Sequence, residues 1–141
     1  MLWEDVLVPV RFLTTTGQLL FTLAAALDTD LYVYPALPQR FTPEQYEEAR
    51  HECFRAMVVS LVCLALEIIS LVAGFSFFHC RANTLQCVLH GAGLIAIAVF
   101  FGGPHHFATV WYIFWACGLP ALLVEAWTVL ELFWLRKSAY Y

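Results

Sequence analysis

Arg11, Glu67, His90 and Glu125 each stand within a tract that is otherwise almost wholly apolar. An ionisable group in such surroundings either marks a route for protons or ions, or finds a partner and fixes how the chain packs. Their neighbours at helical spacing bear on the choice. Arg11, Thr15, Gln18 and Thr22 share one helix face, as do Ser60, Cys63, Glu67, Ser70 and Gly74. Cys87, His90, Gly91 and Gly93 form a third small or polar group, and Gly118, Ala121, Glu125 and Thr128 a fourth. Stripes of this kind are what helices use to pack inside a membrane: small residues admit close backbones and polar ones bond across the interface.

Depth strengthens the association. Counted from the Arg136 side at about 1.5 Å per residue, Glu67 and Glu125 fall roughly 16 Å in, and Arg11 and His90 roughly 10 Å in. An arginine side chain bridges that difference. A charge near mid-bilayer costs about 2.5–3.5 kcal/mol on insertion scales, so pairing is the expected resolution. Arg11 is expected to pair with Glu125 or Glu67. His90 then bonds the other carboxylate, or that carboxylate stays protonated. A structural network is the preferred reading, because no row of polar steps continues to the far face. A small proton-coupled transporter or channel built on the same four residues is the alternative.

Other candidate chemistry is sparse. There is no nucleophile elbow, no phosphate-cradling glycine loop and no H-E-x-x-H, so no catalytic residue is assigned and no enzyme is expected. His105 and His106 adjoin in a short turn, a poor chelate, and no metal or cofactor is expected. The five cysteines (Cys53, Cys63, Cys80, Cys87, Cys117) lack C-x-x-C spacing and read as small packing residues. Cys80, beside an expected membrane boundary, is a candidate for palmitoylation.

The elements that position these residues follow from composition. The chain is 62% hydrophobic and 13% charged, well displaced from the balance of a soluble domain. A net charge of −4 without a basic patch excludes nucleic acid. A span needs about 20 mainly apolar residues, and four tracts qualify: 6–27, 53–78, 85–101 and 107–135. The expected fold is an all-α membrane protein, a single four-helix transmembrane bundle over residues 1–141, with an extramembrane loop at 28–52. The apolar stretch after Val6 is too long, and lacks the basic leader, for a cleavable signal peptide. The third span is the shortest. His79 to Asn83 before it and Gly102 to His106 after it read as turn-like breaks.

Within the loop, FTPEQY announces a helix. Thr42 serves as N-cap, Gln45 completes a capping box, and Pro43 occupies the first helical position. Phe41 and Tyr46 have the spacing of a hydrophobic staple. The second helix is therefore expected to start well outside the membrane, its first turns carrying Glu44, Glu47, Glu48, Arg50 and Glu52. Pro120, with Gly118 nearby, is expected to kink the fourth helix. Four spans put both termini on one side, and Arg81, Arg136 and Lys137 on that side favour cytoplasmic termini. Trp3, Trp111, Trp115, Trp134, Tyr140 and Tyr141 lie near span ends and suit interfacial anchoring.

Three segments carry a resemblance. LVPVRFLT near the start, ALPQRFTPEQYEEA in the first loop and WYIFWACGLPALLVEA in the fourth span together resemble the transmembrane protein 107 family, over about Leu7 to Lys137. The matched positions include Pro9, Arg11, Phe12, Pro38, Phe41, Thr42, Pro43, Glu44, Tyr46, Glu67, His90, Trp111, Tyr112, Pro120 and Glu125. The resemblance implies a four-pass membrane scaffold of the ciliary transition zone, within the Meckel-syndrome module. That module gates entry of membrane proteins into the cilium and supports ciliogenesis. Implied partners are membrane lipids, tectonic-type membrane proteins and B9-domain proteins, with no catalytic role for any matched residue and no small-molecule substrate.

Overall fold

A computed structural model describes residues 2–76, 79–103 and 105–138, with side chains from 5 to 134. It is all-α, and four of its helical stretches are long and apolar enough to cross a membrane. Helix α1 runs Leu2–Leu27, α3 Pro43–Val72 and α4 Cys80–Phe101. The fourth span is composite: α5 (Ala108–Ile113), one wide π turn (Phe114–Gly118), then α6 (Leu119–Ser138). Between α1 and α3 lie a one-turn helix α2 (Asp30–Val33) and a 3₁₀ turn (Tyr34–Ala36) that sequence patterning did not anticipate.

The neighbour relations define a square. Helix α1 packs against α3 and α4, and the fourth span packs against the same two helices. The diagonals, α1 with α6 and α3 with α4, have no comparable backbone packing. Consecutive helices α3 and α4 therefore stand opposite one another, joined by the turn that follows Val72.

Two boundaries differ from the sequence reading. The apolar run to Phe78 suggested that the second span continued there, but the helix stops at Val72. Gly74 has φ 80° and ends it. Its amide bonds Leu71 O, and the Phe75 amide bonds Ser70 O, the two bonds of a Schellman motif. Gly74 is thus a turn residue rather than part of a packing stripe, and Phe78 lies outside the described residues. The third helix begins at Cys80, not Leu85, so the expected break at His79 to Asn83 is mostly helix. At 22 residues it is about 33 Å long, enough to span.

The start of α3 is closed by side chains. The Gln45 amide donates to Thr42 Oγ1 at 3.3 Å, and the Thr42 amide donates to Gln45 Oε1 at 3.0 Å. Pro43 is the first helical residue. Phe41 and Tyr46 bring their rings to 6.3 Å, and Tyr46 stacks on Tyr34 at 5.3 Å. Below this cap, Ala25, Tyr32, Val33, Cys53, Ala56, Met57, Ile97, Phe100 and Val110 form an apolar core at the loop end of the bundle. Tyr32 stacks on Phe100 at 4.4 Å. Burial, with the nearby Asp28 carboxylate, pushes the Tyr32 phenol pKa up.

Candidate functional site

Each span turns a line of residues inward, and on α3 and α4 that line differs from the expected stripe. On α1, Arg11, Thr15, Gln18 and Thr22 are all buried, and on the fourth span so are Gly118, Ala121, Glu125 and Thr128. On α3 the buried line passes through Leu64, Glu67 and Leu71, and on α4 through Asn83, Gln86, His90 and Gly93.

One ion pair and one histidine–carboxylate contact cross the two diagonals of the square. Arg11 Nη2 on α1 donates to Glu125 Oε2 on α6 at 2.6 Å, with both side chains almost completely buried. On the other diagonal, His90 Nε2 on α4 lies 2.5 Å from Glu67 Oε2 on α3. Each pair joins helices whose backbones do not pack extensively, so side chains supply the tie that helix contact does not.

The first pair is richly supported. Arg11 Nη1 donates to Ser76 Oγ at 2.8 Å and to Asn83 Oδ1 at 2.7 Å. Glu125 accepts from Ser70 through Oε1 and from Gln86 Nε2 through Oε2 at 3.3 Å. Gln86 Nε2 also donates to the Ala121 carbonyl at 2.9 Å, and Asn83 Nδ2 to the Ser76 carbonyl at 3.0 Å. Five parts of the chain meet here: α1, α3, the turn after it, α4 and α6. Ser76, Asn83 and Gln86 were not foreseen. Asn83 stands in a stretch that read as a turn and Ser76 at the end of one that read as a span, and the available signal was that Asn83, Gln86 and His90 share one helical face.

The second pair is sparser. His90 Nδ1 meets Gln18 Oε1 at 3.0 Å, so α1 also enters the contact. The His90–Glu67 approach is close in distance but is not a directed hydrogen bond, and Glu67 Oε1 has no hydrogen-bond partner among the described residues. Glu67 borders a cavity of about 10 Å³ with Gln18, Thr22, Ser60, Cys63, Phe114 and Gly118. That is room for the centre of about one water molecule. The π turn supplies one wall. It ends two residues before Pro120, whose ring lacks an amide proton and crowds the preceding turn; a widened turn relieves that conflict.

Glycines decide how closely the helices approach. A Cβ at Gly93 would lie 2.6 Å from the Gln18 amide nitrogen, so the Gln18–His90 contact requires glycine there. A Cβ at Gly91 would meet nothing within 4 Å. Gly91 is therefore not a packing residue, contrary to its place in the expected stripe.

The remaining candidates have local roles. The His106 Nδ1 accepts from the Ala108 amide at 3.1 Å, and His105 stacks on Phe100 at 6.3 Å. Among the described residues the five cysteines are unpaired; Cys53 is fully buried in the apolar core and Cys80 is exposed. Trp115 and Trp134 are exposed, whereas Trp111 turns inward against the apolar core. The side chains of Trp3, Arg136, Lys137, Tyr140 and Tyr141 lie outside those described.

A family model described as Transmembrane protein, TMEM107, matches residues 7–129, nearly the whole chain. The chain belongs to the TMEM107 family. Curated relatives named Transmembrane protein 107 from Rattus norvegicus and Homo sapiens are each 28% identical over 134 residues, covering 95% of this chain and 96% of theirs. The Danio rerio protein of the same name is 28% identical over 125 residues. No solved structure is a significant match. The protein is thus a multi-pass membrane member of the TMEM107 family with a four-helix architecture.

Proposed function

We propose that this protein is a non-enzymatic membrane scaffold of the ciliary transition zone, supporting ciliogenesis and control of ciliary membrane composition. The observation that carries the scaffold reading is the cross-diagonal pairing of Arg11 with Glu125 and Glu67 with His90. A conduit needs ionisable groups that exchange with water. Here each is buried against a partner on the opposite helix, and the space beside Glu67 holds about one water. The network acts as a register device: one arrangement of four helices satisfies it, and a slipped helix strands a charge in lipid.

The ciliary assignment rests on the family. A rigid bundle suits a scaffold because its outward faces then hold fixed positions for neighbouring membrane proteins. Tectonic-type and B9-domain proteins are the proposed neighbours. Both termini are proposed to be cytoplasmic, which puts Glu48 on the opposite side; a cysteine placed there is labelled from outside the cell. Tagged protein imaged against a basal-body marker should concentrate at the ciliary base, and proximity labelling there should recover those two classes. Uniform distribution over the cell membrane overturns the ciliary reading. In liposomes the purified protein should pass no protons or small ions, and a flux abolished by Glu67→Gln would replace the scaffold with the transporter.

A further inference from the structure

A second feature lies outside the polar network, at the end of the bundle that carries both chain termini. Between the start of α4 and the outer face of α6 runs an open groove of about 730 Å³. Its floor is apolar: Leu123, Val124 and Trp127, with Leu123 and Trp127 both exposed. Its mouth is polar, formed by His79, Cys80, Arg81, Thr128 and Glu131. Glu131 Oε2 lies 3.6 Å from His79 Nε2, and both side chains remain partly exposed.

The order of these residues matches a phospholipid. Running along α6 from mid-membrane to the boundary, the groove passes from leucine, valine and tryptophan to a carboxylate. Arg81, an exposed residue on α4, lines the same groove. An acyl chain fits the first part, and a phosphate beside Arg81 fits the second. Glu131 then selects the headgroup. A purely anionic headgroup brings a second negative charge towards that carboxylate, whereas phosphatidylethanolamine presents an ammonium whose N–H groups donate to it. Phosphatidylcholine has the positive charge but no N–H.

We propose that the α4–α6 groove binds a phosphatidylethanolamine, with its phosphate on Arg81, its ammonium on Glu131 and an acyl chain along Leu123, Val124 and Trp127. Arg81 provides affinity for any phospholipid, and Glu131 provides preference for a headgroup that donates hydrogen bonds. The site is independent of the ciliary reading, since it concerns only lipid and this chain.

Native mass spectrometry of the full-length protein tests it, using phosphatidylethanolamine, phosphatidylcholine and phosphatidylglycerol with identical acyl chains. Retention of phosphatidylethanolamine should exceed that of phosphatidylcholine about two- to fivefold, the range for a partly wet ion pair. Arg81→Gln should lower retention of both. Glu131→Gln should bring phosphatidylethanolamine down to the phosphatidylcholine level, while Glu48→Gln at the opposite end changes neither. The unaltered protein offers an arm that no folding defect can confuse. Successive N-methylation of the headgroup should preserve retention until the last N–H is lost, then drop it. Equal retention of the three lipids, preference for phosphatidylglycerol, a preference surviving Glu131→Gln, or a featureless methylation series overturns the proposal.

Discussion

The two ends of the bundle are held together by different physics. At the end carrying the termini, Arg11, Ser70, Ser76, Asn83, Gln86 and Glu125 bond one another. At the loop end, Tyr32, Met57, Ile97 and Phe100 pack as a core that would suit a soluble domain. The difference follows the solvent. Lipid tails are as apolar as leucine, so burying leucine between helices inside a bilayer gains little, and hydrogen bonds with close packing must supply the specificity. Near the loop, α2 and the first turns of α3 meet water, and there removal of apolar surface drives association. At 30 residues, α3 is about 45 Å long against roughly 30 Å of hydrocarbon, so part of it must leave the core.

The sharpest way to break the comparison is to remove one partner at each end. Glu125→Ala leaves the Arg11 guanidinium buried and unpaired, and should cost about 3–5 kcal/mol in a reversible unfolding assay in lipid mimetic. Glu131→Ala, whose side chain is partly exposed, should cost about 0.5 kcal/mol or less in the same assay. The double variant Arg11→Leu with Glu125→Leu should cost less than the sum of the single losses, since neither charge is then stranded. Strict additivity would show that the pair is not coupled. At the other end, Phe100→Ala should cost about 3 kcal/mol by cavity formation. Its signature should be local: amide exchange should rise in Asp30–Val33, which Phe100 underlies through Tyr32, while Thr15 to Thr22 stay protected. If both variants loosen the same helices, the two ends are one cooperative unit and the distinction fails.

The polar end was legible in the sequence for a definite reason. A charge in a membrane helix has few places to go, so helical phase and depth grouped Arg11, Glu67, His90 and Glu125. The two carboxylates came out at equal depth, however, and only the structure pairs Arg11 with Glu125 and His90 with Glu67. Its supporting residues were less legible for two reasons. Asn83 falls in a stretch that read as a turn, where polarity has a simpler explanation than partnership with an arginine, and Ser76 sits in a run that read as the unbroken end of a span. Gly74 was misread for the converse reason: the apolar residues after it continue the hydropathy of a span, and only its positive φ reveals the stop. The π turn leaves almost no trace beyond Pro120, since a wide turn and a kink answer the same missing amide. The loop-end core was largely invisible. Tyr32 and Val33 fall in a short polar-flanked segment, and their burial depends on α2 folding back over Phe100, a tertiary event with no periodic signature.

Glycine offers a finer comparison within one helix. Gly93→Ala pushes a methyl group into the Gln18 amide, so Gln18 must leave His90 or α1 must move out. Overpacking of this kind typically costs about 1–3 kcal/mol. Gly91→Ala meets open space and replaces a poor helix former, so it should be neutral or stabilising by up to about 1 kcal/mol. Paired melts of the two variants decide the matter. A Gly91 variant as damaged as the Gly93 variant would mean that another chain packs on that face.

The smallest expected effect lies outside the membrane, at the start of α3. Thr42→Ala removes the acceptor for the Gln45 amide but leaves Pro43, the Gln45 side chain and the aromatic cluster of Tyr34, Phe41 and Tyr46 in place. A lost threonine cap costs about 1 kcal/mol when the freed amide is poorly solvated and less when water replaces it. Thr42 is exposed, so the loss should fall at or below that value. The effect should also stay near the end of the helix: faster exchange at the amides of Glu44, Gln45 and Tyr46, with Met57 onward unchanged. Thr42→Ser or Thr42→Asp should restore protection, since either supplies an oxygen in the same place. If Thr42→Ala instead raises exchange as far as Glu67, then the cap and the polar network are coupled through the whole of α3. The two ends of the bundle would then share one folding unit despite their different chemistry.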